Sequence, residues 1–294
     1  YCYLEFPGEK DPDGELSYFY YVHDKIFQKH GFPDNPWVSS SQFKTEILDR
    51  DTFGMNSGFK VSFPFFVNEG VEEESVKIVV ERPGLYSVFL NGRMLEPEEG
   101  EFYIDKGTGV YSAGSALKTG PNMVTLIGQP FSVLHELAPV FITGNFSVQP
   151  GSEGWELYQE VPLDFGSWKD YGLPFFPNKV SYHSTFEMKK PLKAMIHIQD
   201  WTASCITVKV NESEDILLWT PYKLDISPWL KEGENRLSIT LFGSLKNLNG
   251  PHHNKPRKGL VTPWSFKYAP ENQPPGAEYD LVEYGLFQPP ALLK

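Results

Sequence analysis

The chain repeats itself, and the repeat limits what it can become. FKVSFPFFV (59–67), SVKIVVE (75–81) and LYSVFLNG (85–92) lead to Asp105 and then to Gly120-Pro121-Asn122, which opens MVTLIG. Later, KVSYHSTFEM (179–188), KAMIHIQD (193–200) and CITVKVNE (205–212) lead to Asp225 and then to Gly233-Glu234-Asn235, which opens RLSITLFG. In both halves fourteen residues separate the strand-ending Asn from the Asp. Two copies of one β-unit are the simplest reading.

Within a copy the period is two. In ITVKV, Ile206, Val208 and Val210 share one face and Thr207 and Lys209 the other, as in a strand with one dry and one wet side. Asn91-Gly92 suits a tight hairpin that needs positive φ, and Asn211-Glu212 fills the same place less well. Asp105 and Asp225 read as turn caps rather than catalytic acids, because both copies carry them at the same offset. Each copy spans roughly 100 to 140 residues, enough for a two-sheet sandwich with its own core.

Ahead of the repeat, Leu16, Phe19, Tyr20, His23, Ile26 and Phe27 form one stripe. They predict an amphipathic helix between Asp13 as N-cap and Gly31 as C-terminal stop. FPDNPWVSSSQ after it reads as a linker or a loop over a neighbouring domain. The expected fold is all-β, two tandem antiparallel β-sandwiches after a short helical segment. Residues 1–44 would be helix and linker, a candidate remnant of an upstream domain, with 45–150 the first sandwich and 151–294 the second. The chain opens YCYLEF without a Met, so a mature or excised piece of a larger protein is expected.

A formal net charge of -12 with no basic segment would repel a polyanion, so nucleic acid is not an expected partner. No apolar run approaches the roughly 20 residues of a membrane-spanning helix. Cys2 and Cys205 are the two cysteines and define neither a disulfide framework nor a metal-ligand spacing.

The stretches LNG…GPNMVTL and VNE…PYKLDISPWLKEGENRLSITLFGSLKNLNGPHH resemble the galactose-binding-like jelly-roll modules of large bacterial glycoside hydrolases, of the family 2 and rhamnosidase-like types. APVFITGNFSV (138–148) resembles the strand closing the first module, and SWKDYGLPFFPNKVSYHSTFEM (167–188) the entry of the second. The resemblance covers roughly residues 43–294 and departs from the family pattern at Glu212, where Gly is usual. It implies jelly-roll folds, a sugar-binding-like second module and a catalytic barrel elsewhere in the same polypeptide. A periplasmic or secreted bacterial enzyme that degrades polysaccharide would be the parent. A barrel needs about 250 residues of alternating strand and helix, and this chain offers one good helix.

The chemistry-bearing residues fit that picture. Hydrolysis would need two carboxyl groups about 5 Å apart for retention, or 6.5–9.5 Å for inversion. The densest acidic stretches, EGVEEES (69–75) and EPEEGE (96–101), fall between strands and read as solvated loops, so no catalytic residue is nominated. A sugar site wants a flat aromatic face with a few polar groups. Trp168, Tyr171, Asp200, Trp201, Trp219 and Tyr222, near strand ends or loops of the second module, are the expected carbohydrate-binding set. Taken singly, each aromatic among them reads more readily as core packing than as a sugar contact, and only the set points to this module. His252 and His253 face opposite ways on an extended segment and lack a third ligand nearby, so no zinc site is expected. They are expected in a domain-docking loop against the adjacent module or barrel. No cofactor is expected, although the resemblance leaves room for a structural calcium ion held by Asp and backbone carbonyls.

Three functions follow from these readings: a non-catalytic carbohydrate-binding region beside a catalytic barrel, an autonomous glycan-binding protein, or a hydrolase with its site between the modules.

Overall fold

The computed structural model describes residues 1–9, 13–190, 193–253 and 261–293. The fold is all-β, built as sandwiches of mainly antiparallel sheets. The chain divides into two compact units, Tyr1–Glu160 with Gly259–Tyr279, and Val161–Lys258 with Asp280–Lys294. Both units are therefore discontinuous in sequence.

The first unit carries β1 (Cys2–Glu5), β2 (Asp13–Ser17), helix α1 (Phe19–Lys29), β3 (Phe59–Val67), β4 (Lys77–Glu81), β5 (Ser87–Leu90), β6 (Arg93–Leu95), β7 (Thr108–Ser112), β8 (Gly120–Gly128), β9 (Phe141–Thr143), β10 (Ser147–Pro150) and β11 (Trp155–Tyr158). One sheet runs β10-β11-β3-β8-β5-β6 with β1 and β2 attached, and the other runs β7-β4-β9. Alternation on the strands puts Val61, Val88, Leu90, Val124 and Leu126 of the first sheet into one core with Ile78, Val80 and Tyr111 of the second. Among its named strands, β11 meets β3 in parallel, through Leu157 and Val67.

The helix starts later than its stripe suggests. Residues 13–17 form β2, paired with β1 through Cys2–Ser17 and Leu4–Asp13, so Asp13 does not cap a helix. The C-terminus follows the sequence reading: Gly31 takes φ 86°, and the amides of Gly31 and Phe32 bond back to Gln28 O and Phe27 O. That is a Schellman stop, sealed by contact of the Phe27 and Phe32 rings at 5.5 Å. Val22, Ile26 and Phe27 are wholly buried, and Trp37 Nε1 donates to Val133 O. Residues 1–44, expected as helix and linker, are thus built into the first unit.

The second unit carries β12 (Gly166–Ser167), β13 (Lys179–Met188), β14 (Met195–His197), β15 (Trp201–Thr202), β16 (Cys205–Val210), β17 (Ile216–Leu217), β18 (Lys223–Asp225), β19 (Gly233–Phe242), a one-turn helix α2 (Lys246–Asn249), β20 (Gly285–Leu286) and β21 (Ala291–Leu293). Its sheets are β13-β19-β16-β17, β18-β14-β21 and β12-β20-β15. The first two reproduce β3-β8-β5-β6 and β7-β4-β9 of the first unit, down to the register: Lys77 lies opposite Ser112 and Thr143, as Met195 lies opposite Asp225 and Leu293. Ile206, Val208 and Val210 are buried as their alternation requires, in a core with Ile196, Leu237, Ile239, Leu241 and Trp168.

The tightest correspondence is LKTGPN (117–122) against LKEGEN (230–235). Gly120 and Gly233 both adopt positive φ, at 95° and 85°. The Asn that follows each is buried, donates to the carbonyls of Lys118 and Gly120, or of Lys231 and Gly233, and accepts the amide of the same Lys. The motif is a self-contained entry into the central strand.

The equal spacing of Asp105 and Asp225 has no such basis. Asp225 ends β18, where the other copy has Ser112, whereas Asp105 precedes β7. Both are exposed and cap turns, accepting the amides of Gly107 and Ser227. Glu212 also has a structural consequence. Asn91 and Gly92 both take positive φ and close β5 to β6 in two residues, but after Asn211 only the Asn does, so β16 reaches β17 through a longer turn.

Candidate functional site

Four of the six expected sugar-contacting residues meet at one end of the second unit. Where β14 ends, Ile198 N–H donates to Tyr222 O, and the Asp200 carbonyl accepts the amide of Phe287. Trp201 then begins β15, held against Leu286 of β20. From the other side, the chain leaves β17 through buried Leu218 and turns sharply at Trp219–Tyr222, closed by Tyr222 N–H to Trp219 O at 2.7 Å. Tyr222 has φ 58°, which directs the chain back into β18.

This junction sets the rings. Trp201 and Tyr222 pack edge to face, 5.0 Å apart and at 89°, both half-buried on the core. Trp219, on the same turn as Tyr222, is 75% exposed. Asp200 is exposed beside Trp201. An exposed indole, an aromatic pair and an exposed carboxylate are the kinds of side chain that a carbohydrate site uses. Phe287, tied to Asp200 through its amide, is part of the same junction; its place 87 residues away in sequence hides that.

The other two residues of the set stand apart from it. Trp168 is 1% exposed, its Nε1 donates to Tyr182 Oη at 3.0 Å, and its ring contacts Tyr284 and Phe176. The core takes up its faces, so the expectation that Trp168 contacts sugar is corrected. Tyr171 donates its hydroxyl to Phe165 O and lies over Gly166, on β12, which β20 separates from β15 and Trp201.

His252 braces its own unit. Its Nε2 donates to Asn247 O at 2.7 Å, its ring meets Phe175 edge to face, and its carbonyl accepts the amide of Asp280. Asn247, 1% exposed, donates to Pro174 O and Val282 O and accepts from Val282 N–H. Burial pushes the His252 imidazole down to about 4, so it is neutral at ordinary pH. These bonds fasten the loop to its own unit; His253 beside it is half-buried. Among the described residues, no group of three or more His, Cys, Asp or Glu could hold a metal ion, and no helix is long and apolar enough to cross a membrane.

No family model matches the chain, and no curated protein matches it significantly. Among solved structures it is similar to a rhamnosidase from Novosphingobium sp. PP1Y, at 19% identity over 80% of this chain and 23% of that one, with TM-score 0.31. It is also similar to a Streptomyces avermitilis alpha-L-rhamnosidase complexed with L-rhamnose, at 12% identity over 62% and 21%, with TM-score 0.25. A third is a beta-D-mannosidase from Dictyoglomus thermophilum, at 11% identity over 83% and 30%, with TM-score 0.31. The chain thus spans less than a third of the length of each.

Proposed function

We propose that this chain is a non-catalytic, carbohydrate-binding region of a larger glycoside hydrolase, supporting that enzyme's catalytic barrel and holding polysaccharide for it. The observation that carries the reading is the junction at Trp219: an indole 75% exposed on the turn that ends at Tyr222, whose ring packs on Trp201, next in sequence to exposed Asp200. An indole this exposed offers a flat apolar face that a sugar ring can cover. The order of the LNG, VNE and GPHH segments supports the attachment to a hydrolase. The contribution to turnover is positional, through the local concentration of substrate.

The test is affinity electrophoresis and calorimetry of the whole chain on a panel of neutral polysaccharides, beside Trp219→Ala and Trp201→Ala, with sugar release assayed on the same panel. Binding that disappears in Trp219→Ala at unchanged thermal stability is the expected result. Binding indifferent to both substitutions would remove the site, and sugar release by the chain alone would overturn the non-catalytic assignment.

A further inference from the structure

The solvent face of the β13-β19-β16 sheet is organised by register. His183 of β13 lies opposite Ser238 of β19, which lies opposite Lys209 of β16. One row along, Thr185 lies opposite Arg236, whose carbonyl accepts the amide of Asn211. Strands about 4.8 Å apart and rows about 7 Å apart place these six side chains on one small patch. They line a depression of about 410 Å³, in the size range of a site for a small ligand. No carboxylate is among the described residues that line it.

A solvated sheet face is ordinarily polar with mixed charge. Here Lys209, Arg236 and His183 converge in a chain with a formal net charge of -12. Between them stand the Ser238 and Thr185 hydroxyls, so recognition on this face is by charge and hydrogen bonds. Arg236 is exposed and its Nε pairs with Glu234 at 3.2 Å, a surface pair that holds the guanidinium only weakly. Beyond Arg236 and Asn211 the character reverses. An adjoining depression of about 520 Å³ is lined by Glu212, Glu232 and Glu234 with Lys231. That acidic end disfavours a densely charged polymer and admits an anion only at the His183–Lys209 end.

We infer that this face is a second saccharide subsite, separate from the Trp219 junction, and that it takes one acidic sugar residue, a carboxylate or sulfate ester, between Lys209, Arg236 and His183. The glycan nature of the ligand rests on the function proposed above; its charge rests on this face alone.

The whole chain is titrated calorimetrically with digalacturonate, galactose 6-sulfate and neutral galactobiose, with the double substitutions Lys209→Gln/Arg236→Gln and Glu212→Gln/Glu234→Gln. The acidic ligands should bind with a Kd about tenfold or more below that of galactobiose, and 0.5 M NaCl should abolish the difference. Binding of digalacturonate alone identifies a carboxylate site, and of galactose 6-sulfate alone a sulfate site. Lys209→Gln/Arg236→Gln should remove the preference at an unchanged unfolding midpoint, while Glu212→Gln/Glu234→Gln should strengthen it. Equal binding of acidic and neutral sugars, or a preference that survives Lys209→Gln/Arg236→Gln, would overturn the assignment. A preference lost only in Trp219→Ala would also overturn it, because the ligand would then sit at the junction. Failure of neutral sugars to bind anywhere leaves this test intact and counts against the Trp219 site alone.

Discussion

The Asn211 carboxamide donates to Asn235 Oδ1 at 2.9 Å, and the same bond joins Asn91 to Asn122 at 2.7 Å in the other unit. Around it the two copies match bond for bond. Asn211 also donates to Trp229 O and accepts from Arg236 N–H, as Asn91 donates to Ala116 O and accepts from Met123 N–H. Each pair of asparagines locks a strand-ending turn to the entry of the central strand.

Asn235 is wholly buried and satisfies every polar group around it, so its loss leaves an amide and two carbonyls without partners. Asn235→Ala should cost about 3 kcal/mol. Asn235→Asp should also destabilise, because it turns a donor facing two carbonyls into an acceptor. Urea unfolding checks both; a midpoint within error of the parent would contradict the network's role.

Gly233→Ala isolates a different effect. A Cβ there would meet nothing within 4 Å, so the penalty is the positive φ of 85° alone. It should destabilise by about 1 kcal/mol, well short of Asn235→Ala. The same urea series measures the ratio of the two.

Trp168 and Trp219 should separate stability from binding. Trp168→Ala empties a core position and should cost about 3–5 kcal/mol. Trp219→Ala, at a position 75% exposed, should stay within about 0.5 kcal/mol of the parent while losing polysaccharide. Equal thermal shifts for the two would contradict the assignment of Trp168 to core and Trp219 to site.

Acid should weaken both units. In the first, His23 and His135 donate from Nε2 to His135 O and Leu85 O, and His30 donates from Nδ1 to Ile26 O. The remaining nitrogens accept from Asn35 Nδ2, Ser132 N–H and Gly58 N–H. A second proton on His23 or His30 would set donor against donor, and burial already holds all three below the usual histidine range. His252 does the same in the second unit, at about 4. The unfolded chain therefore takes up protons first: the stability is fully present above about pH 6.5 and is lost as pH falls toward the folded values. Urea midpoints at pH 7.5 and 5.0 should differ, with the lower value at pH 5.0, and His252→Gln should flatten part of that slope. A pH-independent midpoint would refute the account.

The sheets were legible in the sequence because period-two alternation and Asn-Gly chemistry act over a few residues. The onset of α1 was not, because Leu16 continues the helical stripe while β1 recruits residues 13–17 into a ladder. Nor could composition tell Trp168 from Trp219, since only the fold decides which indole is covered. His183, Lys209 and Arg236 escaped notice because they lie on three strands, and register alone brings them into adjoining rows.

The second unit lacks β20 and β21 until the chain has passed through residues 259–279, which belong to the first. That excursion fastens the first unit to itself, with Tyr1 Oη on Pro270 O, Tyr21 Oη on Lys267 O, and Gly154 bridged to Pro275. No single cut between residues 160 and 161 yields two whole pieces. Either unit is whole only when the chain on both sides of that boundary is expressed with it.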